Sequence, residues 1–182
     1  MRRHRGTPVQ LWFMDEARVG QKGRAGHVWY ERGVRPSAPV DRGFTSTYIF
    51  GAVRPGSDDG FALVLPEVST AAMNAFLNGF ARHLGEGVHA ALVLDRAGWH
   101  VARRLVRPAN VSFIHPPAYS PELNPVERVW QHMRENWFSH RLWQSYDDIL
   151  DACCRAWNCL TADPGVLASL TNYPYLQKVR TS

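Results

Sequence analysis

Asp15, Asp95 and Glu127 are the residues of this sequence best placed to do chemistry. Asp15 follows the apolar run Leu11-Trp12-Phe13-Met14, and Asp95 follows Leu92-Val93-Leu94. Glu127 lies in HPPAYSPELNPVERVW, His115 to Trp130, just inside a helix start. Two strand ends and a helix can gather carboxylates that are far apart in sequence. Three converging carboxylates have one common chemical use, which is to hold divalent metal ions against phosphate.

Each acid also has a plainer explanation. The carboxyl end of a buried strand is where open α/β sheets place their ligands. A charge there does little for the core, but Asp95 could equally cap the turn that follows. Asp15 has an acidic neighbour, Glu16, and adjacent strand residues point to opposite faces. Only one of them can aim at the site; Asp15 is preferred because it directly follows the apolar run, although a solvated turn acid would fit too. Asn124-x-x-Glu127 has the spacing of a capping box, which alone would explain Glu127. Glu122 is a rival for the third acid, but it lies in a loop, and a ligand on a rigid helix is better fixed. Arg96, His100 and His115 lie near the acids in sequence. His100 could touch a phosphate, orient a water, or simply pack. Trp99, Tyr119, Trp130 and Trp137 could stack on bases or belong to a core. Arg96, His100, Tyr119 and Arg128 are the candidate nucleic-acid contacts.

The elements that must position these groups follow from local pattern. Val9 to Met14 reads as a buried strand ending at Asp15. Residues 27–31 form a possible strand. Thr45 to Val53 is β-branched and aromatic, and Phe61 to Leu65 returns after the turn signal Pro55-Gly56-Ser57-Asp58-Asp59-Gly60. Together they predict an antiparallel run of three. Ser69 or Thr70 caps a helix to about Leu84, with Met73, Phe76, Leu77 and Phe80 on one face. His89 to Leu94 is apolar enough for a strand covered on both sides. A short helix is expected over Val101 to Val106, then a strand over Val111 to His115. Asn124 caps the next helix, with Pro125 in its first position. Val126, Val129, Trp130, Met133 and Trp137 share one face of it. Ser145 with Asp148 starts a last helix to about Leu160. The order is a mixed sheet with helices packed on its faces. A basic arm occupies residues 1–8, one α/β domain 9–162, and a tail 163–182.

The chain has 182 residues, 45% hydrophobic and 20% charged, which fits one ordinary globular domain. Its apolar runs are too short to span a bilayer. The N-terminal residues MRRHRGTPVQ lack the apolar middle of a secretory signal, so a soluble cytoplasmic protein is expected. The net charge of +5 points to a polyanionic partner, and all basic residues except Lys22 and Lys178 are Arg. Cys153, Cys154 and Cys159 show no metal-ligand spacing and read as small helix residues.

LDRAGWH followed by PPAYSPELNPVERVW resembles the catalytic domain of mariner-type insertion-sequence transposases, in the Asp-Asp-Glu endonuclease superfamily. MDEARVG is similar to that family's first acidic motif. The likeness covers roughly residues 9–140, and YSPELNPVE is its most specific part. It implies a ribonuclease H-like fold: three antiparallel strands, then alternating helices and strands, with helices on both faces. It implies that Asp15, Asp95 and Glu127 are the catalytic acids and hold two Mg²⁺ or Mn²⁺ ions. The spacing of 31 residues between Asp95 and Glu127 is close to that usual in the wider family. Arg96 departs from the pattern, which often has Asn there.

The resemblance implies DNA cleavage and strand transfer, with transposon ends and target DNA as partners and a homo-oligomer as the active form. It also implies that the protein is nucleoid-associated when on DNA. Helix-turn-helix modules have no room before Asp15, so a separately encoded DNA-binding half is expected. The alternative is a catalytically silent remnant that binds DNA or a partner chain. A nuclease or phosphohydrolase of similar fold is a third reading, disfavoured by YSPELNPVE.

Overall fold

A computed structural model of the chain describes residues 7–21, 32–33, 43–117, 123–139 and 141–177. The expected strand over 27–31, most of the basic arm, Tyr119 and Glu122 lie outside the described residues.

Among the described residues, five strands form one mixed sheet in the order β3-β2-β1-β4-β5. They are β1 (Val9–Gly20), β2 (Ser46–Val53), β3 (Gly60–Leu65), β4 (His89–Val93) and β5 (Val111–Ile114). The first three run antiparallel; β4 is parallel to β1, and β5 to β4. This is the α/β ribonuclease H-like arrangement implied above.

β1 is longer than its apolar run suggests. Charge at Asp15 and Glu16 marks the end of the hydrophobic stretch but not of the strand. Val9 to Phe13 pair with β4, and Phe13 to Gly20 pair with β2. Backbone hydrogen bonds carry the second half, whatever the side chains, so Asp15 sits in mid-strand.

Alternation along β1 divides the molecule into two cores. Phe13 and Val19 face one, with Leu11 and Ala17 against it; Trp12 and Met14 face the other. The second core is closed by α1 (Thr70–His83), whose start is capped by Ser69 Oγ accepting from the Ala72 amide at 3.1 Å. Its buried face is Met73, Phe76, Leu77 and Phe80, as the spacing predicts. The first core is closed by α2 (Val126–Met133), which runs into a π-helical turn at Arg134–Phe138, and by α3 (Tyr146–Ala162). Ser145 caps α3 by accepting from the Asp148 amide at 3.1 Å.

Two expectations are corrected. No helix forms over residues 101–106. One turn closes there, Leu105 N–H to the Ala102 carbonyl at 3.0 Å. Asn74 then clamps the segment, its Nδ2 donating to the Arg104 carbonyl and its Oδ1 accepting from the Val106 amide. Val101 and Val106 are 57% and 67% exposed, so the apolar residues that suggested a helix bury no common face. Residues 163–177, expected as tail, are also structured. They form α4 (Val166–Leu170) and α5 (Pro174–Gln177), and Leu167 and Leu176 complete the first core. Asp58 fastens α4 by accepting from the Gly165 and Ala168 amides at 2.8 and 3.0 Å.

The three cysteines are free thiols on α3. Burial pushes the Cys153 thiol up to about 12, so it acts as a small apolar core residue. No helix among the described residues is long and apolar enough to cross a membrane.

Candidate active site

Asp15 and Asp95 lie on neighbouring parallel strands. The last pair of that ladder is Phe13 with Val93, so each aspartate stands two residues beyond it. The register of two buried strands therefore brings the two acids to the same level, at the carboxyl end of β4.

Glu127 is brought near Asp15 by the way α2 is docked. Asn124 Nδ2 donates to the Met14 carbonyl at 3.2 Å, just before the helix. One turn later, Trp130 Nε1–H donates to Asp15 Oδ2 at 3.1 Å. Glu127 lies between these two anchors, three residues from each, and i to i+3 neighbours share a helix face. The start of α2 is thus pinned to Met14 and Asp15 on both sides of Glu127.

Capping is done by Asn124 alone. Its Oδ1 accepts from the Val126 amide at 3.2 Å. The capping box does not form: among the described residues the Glu127 side chain takes no hydrogen bond, so its carboxylate is left to face Asp15. Replacing Asn124 with Ala removes both the cap and the tether to Met14, and should cost about 1–2 kcal/mol. A lower urea midpoint at unchanged m-value would register that loss; a midpoint equal to the parent's would refute it.

Electrostatics reports the same proximity. Burial, then the nearby Glu127 charge, then Glu16, push Asp15 up to about 7, against the smaller pull of the Glu16 backbone and Trp130 hydrogen bonds. A carboxylate beside another carboxylate in a partly dry site keeps its proton.

Glu16 points to the opposite face of β1, as alternation demands, yet it is not idle. Its Oε1 accepts from Trp99 Nε1–H at 2.9 Å and lies 2.8 Å from Nε2 of His100. The other ring nitrogen of His100, Nδ1, is 2.7 Å from Oδ1 of Asp95. The same Asp95 oxygen accepts from the Ala97 amide at 2.9 Å. Burial opposes charge on His100, but the hydrogen bond and charge of Glu16, then those of Asp95, outweigh it and hold the ring above its usual range.

The other expected contacts are placed as follows. His100 is 3% exposed between two carboxylates, so it is not a surface contact for phosphate. Arg96 is exposed beside Asp95. Arg128 is exposed and stacks on Tyr173, 4.3 Å from the ring centre. His115 donates from Nδ1 toward the Leu94 and Asp95 carbonyls at 3.1 Å, tying the end of β5 to that of β4. Trp130 is buried in the first core and Trp99 packs at the edge of the second, so neither is a free stacking platform.

Sequence reasoning set Glu16 aside and read Trp99 as a base-stacking or core residue. The signal that could have joined them is the pair Trp99-His100, two N–H-bearing rings shortly after Asp95, opposite a second acid on the central strand.

Residues 10–150 match the sequence profile of the DDE superfamily endonuclease family. The uncharacterized protein y4pE/y4sA of Sinorhizobium fredii is 50% identical over 123 residues, covering 68% of this chain and 91% of that protein. The fold resembles that of the Mos1 mariner paired-end complex with Mn, with a TM-score of 0.64 at 17% identity over 87% of this chain and 50% of that one. The Mos1 paired-end complex with Mg gives 0.58 at 15% identity, over 90% and 56% of the two chains. The chain thus spans about half the length of these Mos1 chains.

Proposed function

The chain belongs to the DDE superfamily endonuclease family, and from that premise we propose that it is the catalytic domain of a transposase, cutting and joining DNA through a divalent metal site at Asp15, Asp95 and Glu127. The observation that carries this reading is the docking of α2. Asn124 and Trp130 press Glu127 toward Asp15, at the level where Asp95 leaves the adjacent strand.

The donor chemistry fits Mg²⁺ or Mn²⁺. Carboxylate oxygens are the preferred ligands of such hard cations. Burial, then the nearby Glu127 charge, keep a proton on Asp15 to about pH 7, a conflict that a cation resolves. Asp95 has one oxygen, Oδ1, engaged by His100 and Ala97, which leaves Oδ2 for a ligand role. A divalent cation bound there supplies Lewis-acid stabilisation of the charge that builds on a phosphodiester under in-line attack by water or a 3′-hydroxyl.

The chain's own residues do the rest. Asp15 would have to give up its proton to hold a cation, so metal affinity should fall as pH drops below about 7. Trp130 holds Asp15 in place from the core side. Arg96, with Arg103 and Arg104 on the exposed connection between β4 and β5, offers cationic groups to the phosphodiester backbone. By the same reading its partners are transposon ends and target DNA, and the active form is a homo-oligomer.

The test is nicking of supercoiled DNA in Mn²⁺. Asp95→Asn should abolish it, and nicking at the parent's rate would remove Asp95 from the site. A second reading, a silent remnant that only binds DNA, is favoured by one observation. Among the described residues no three His, Cys, Asp or Glu side chains gather closely enough to hold one ion. Absence of Mn²⁺ binding at millimolar concentration would decide for it.

A further inference from the structure

We propose that Glu16 and His100 are positioning residues, a buried bridge from the far face of β1 that fixes the Asp95 carboxylate for its role at the metal site. The inference rests on the metal-site reading above and names residues outside its three acids.

The need for such a bridge is visible in the chain path. Asp95 lies beyond the end of β4, in a connection to β5 that forms no helix. Its side chain is 68% exposed, so packing does not hold it. A carboxylate left to itself there would sample several rotamers, each at a different distance from Asp15.

Glu16 and His100 remove that freedom. The side chains of His100 and Glu16 are 1% and 9% exposed. Burying an acid on the central strand is costly unless it is compensated. Its compensation comes from two consecutive residues of the connection, Trp99 and His100, both directed at Oε1. His100 then spans to Asp95 Oδ1, and the Ala97 amide completes the hold on that oxygen. The imidazole is a rigid strut between β1 and Asp95. Glu16 orients the ring in the way that outer partners orient the ligands of metal sites, where their loss commonly costs about 10–100-fold in affinity. Adjacent residues of one strand thus share the work: Asp15 faces the ion, and Glu16 holds Asp95 from behind.

The experiment measures Mn²⁺ affinity by calorimetry for the full chain and for Glu16→Gln, His100→Ala and Asp95→Asn. Amide hydrogen exchange at Ala97 and the thermal midpoint are measured on the same samples. Glu16→Gln keeps an oxygen for Trp99 and serves if His100→Ala does not fold. Asp95→Asn should abolish binding. Glu16→Gln and His100→Ala should weaken it about 10–100-fold, lower kcat for nicking more than they raise KM, and speed exchange at Ala97. Binding by both variants equal to the parent's, while Asp95→Asn abolishes it, would overturn the positioning role alone. Equal weakening of Mn²⁺ affinity by an unrelated core variant of matched thermal midpoint would also overturn it. No Mn²⁺ binding by the parent chain would overturn the metal-site reading, and the positioning role with it.

Discussion

Asp15→Asn is expected to make the metal-free protein more stable at pH 8, by about 2–4 kcal/mol, while removing its affinity for Mn²⁺. The sign follows from the direction of the shift. In the folded chain Asp15 holds its proton up to about pH 7, whereas in the unfolded chain it releases it near 3.8. Between those values the folded state binds the extra proton. Stability therefore falls as pH rises from about 4 to about 7, and stays low above it. The whole shift corresponds to roughly 4 kcal/mol, and the lower end of the range allows for the solvent that still reaches the carboxylate. Asparagine carries no charge at any of these pH values, so the penalty disappears. His100 adds a slope of the same sign. Its stabilisation is present at low pH and is lost as pH rises through its raised folded value. The informative quantity is thus the difference between variant and parent in urea unfolding at pH 5 and pH 8. That difference should grow toward pH 8; a constant difference would mean that burial and the Glu127 charge do not raise Asp15. The loss of Mn²⁺ affinity is read on the same samples, and a variant that is both more stable and metal-blind is the signature of stability given up for function.

Trp130→Ala is expected to cost about 3–5 kcal/mol, because it empties the centre of the first core. The indole is 4% exposed and packs on Trp157 with ring centres 6.3 Å apart. It also lies over Gly51, the residue paired with Asp15 across the β1–β2 ladder. A Cβ at Gly51 would stand 2.5 Å from Trp130 Cη2, so only glycine leaves the ring room to cross the strand and reach Asp15. Trp130→Phe separates the two contributions. It keeps much of the packing but loses the N–H bond to Asp15, so it should cost clearly less than the alanine change. It should also push the Asp15 titration further upward, since that bond favours the charged form. Urea unfolding measures the cost, and an alanine variant within about 1 kcal/mol of the parent would show that the indole does not anchor α2.

Much of this fold was legible beforehand. The helix from Ser69 onward carries its own cap and apolar spacing, and β4 is an apolar run bounded by glycine and aspartate. Such signals are local and need no partner. The residues 101–106 misled, because Val101, Leu105 and Val106 have helix-like spacing but only Leu105 packs on the core, while Val101 and Val106 stay exposed. Asn74, about thirty residues away in sequence, decides their path. The strand β1 was cut short for the same reason: its second half is held by the β2 ladder rather than by its own hydrophobicity. Leu167 and Leu176 looked like tail residues until the first core was seen to need them.

The sequence by itself determined which residues this protein has for chemistry: three acids, two directly after apolar runs and one near a helix start, and a segment, YSPELNPVE, specific enough to point to a family. It also determined that Asp15 and Glu16 part to opposite faces, since alternation is a property of any strand. Only the tertiary structure decided what each face means. It released Glu127 from the capping box, because Asn124 caps the helix unaided and Trp130 docks it on Asp15. It turned His100 from a surface candidate into a buried strut between Glu16 and Asp95. The physical reason is that caps and periodicity are short-range, whereas the partner of a buried charge is chosen by whatever the fold brings within hydrogen-bonding distance.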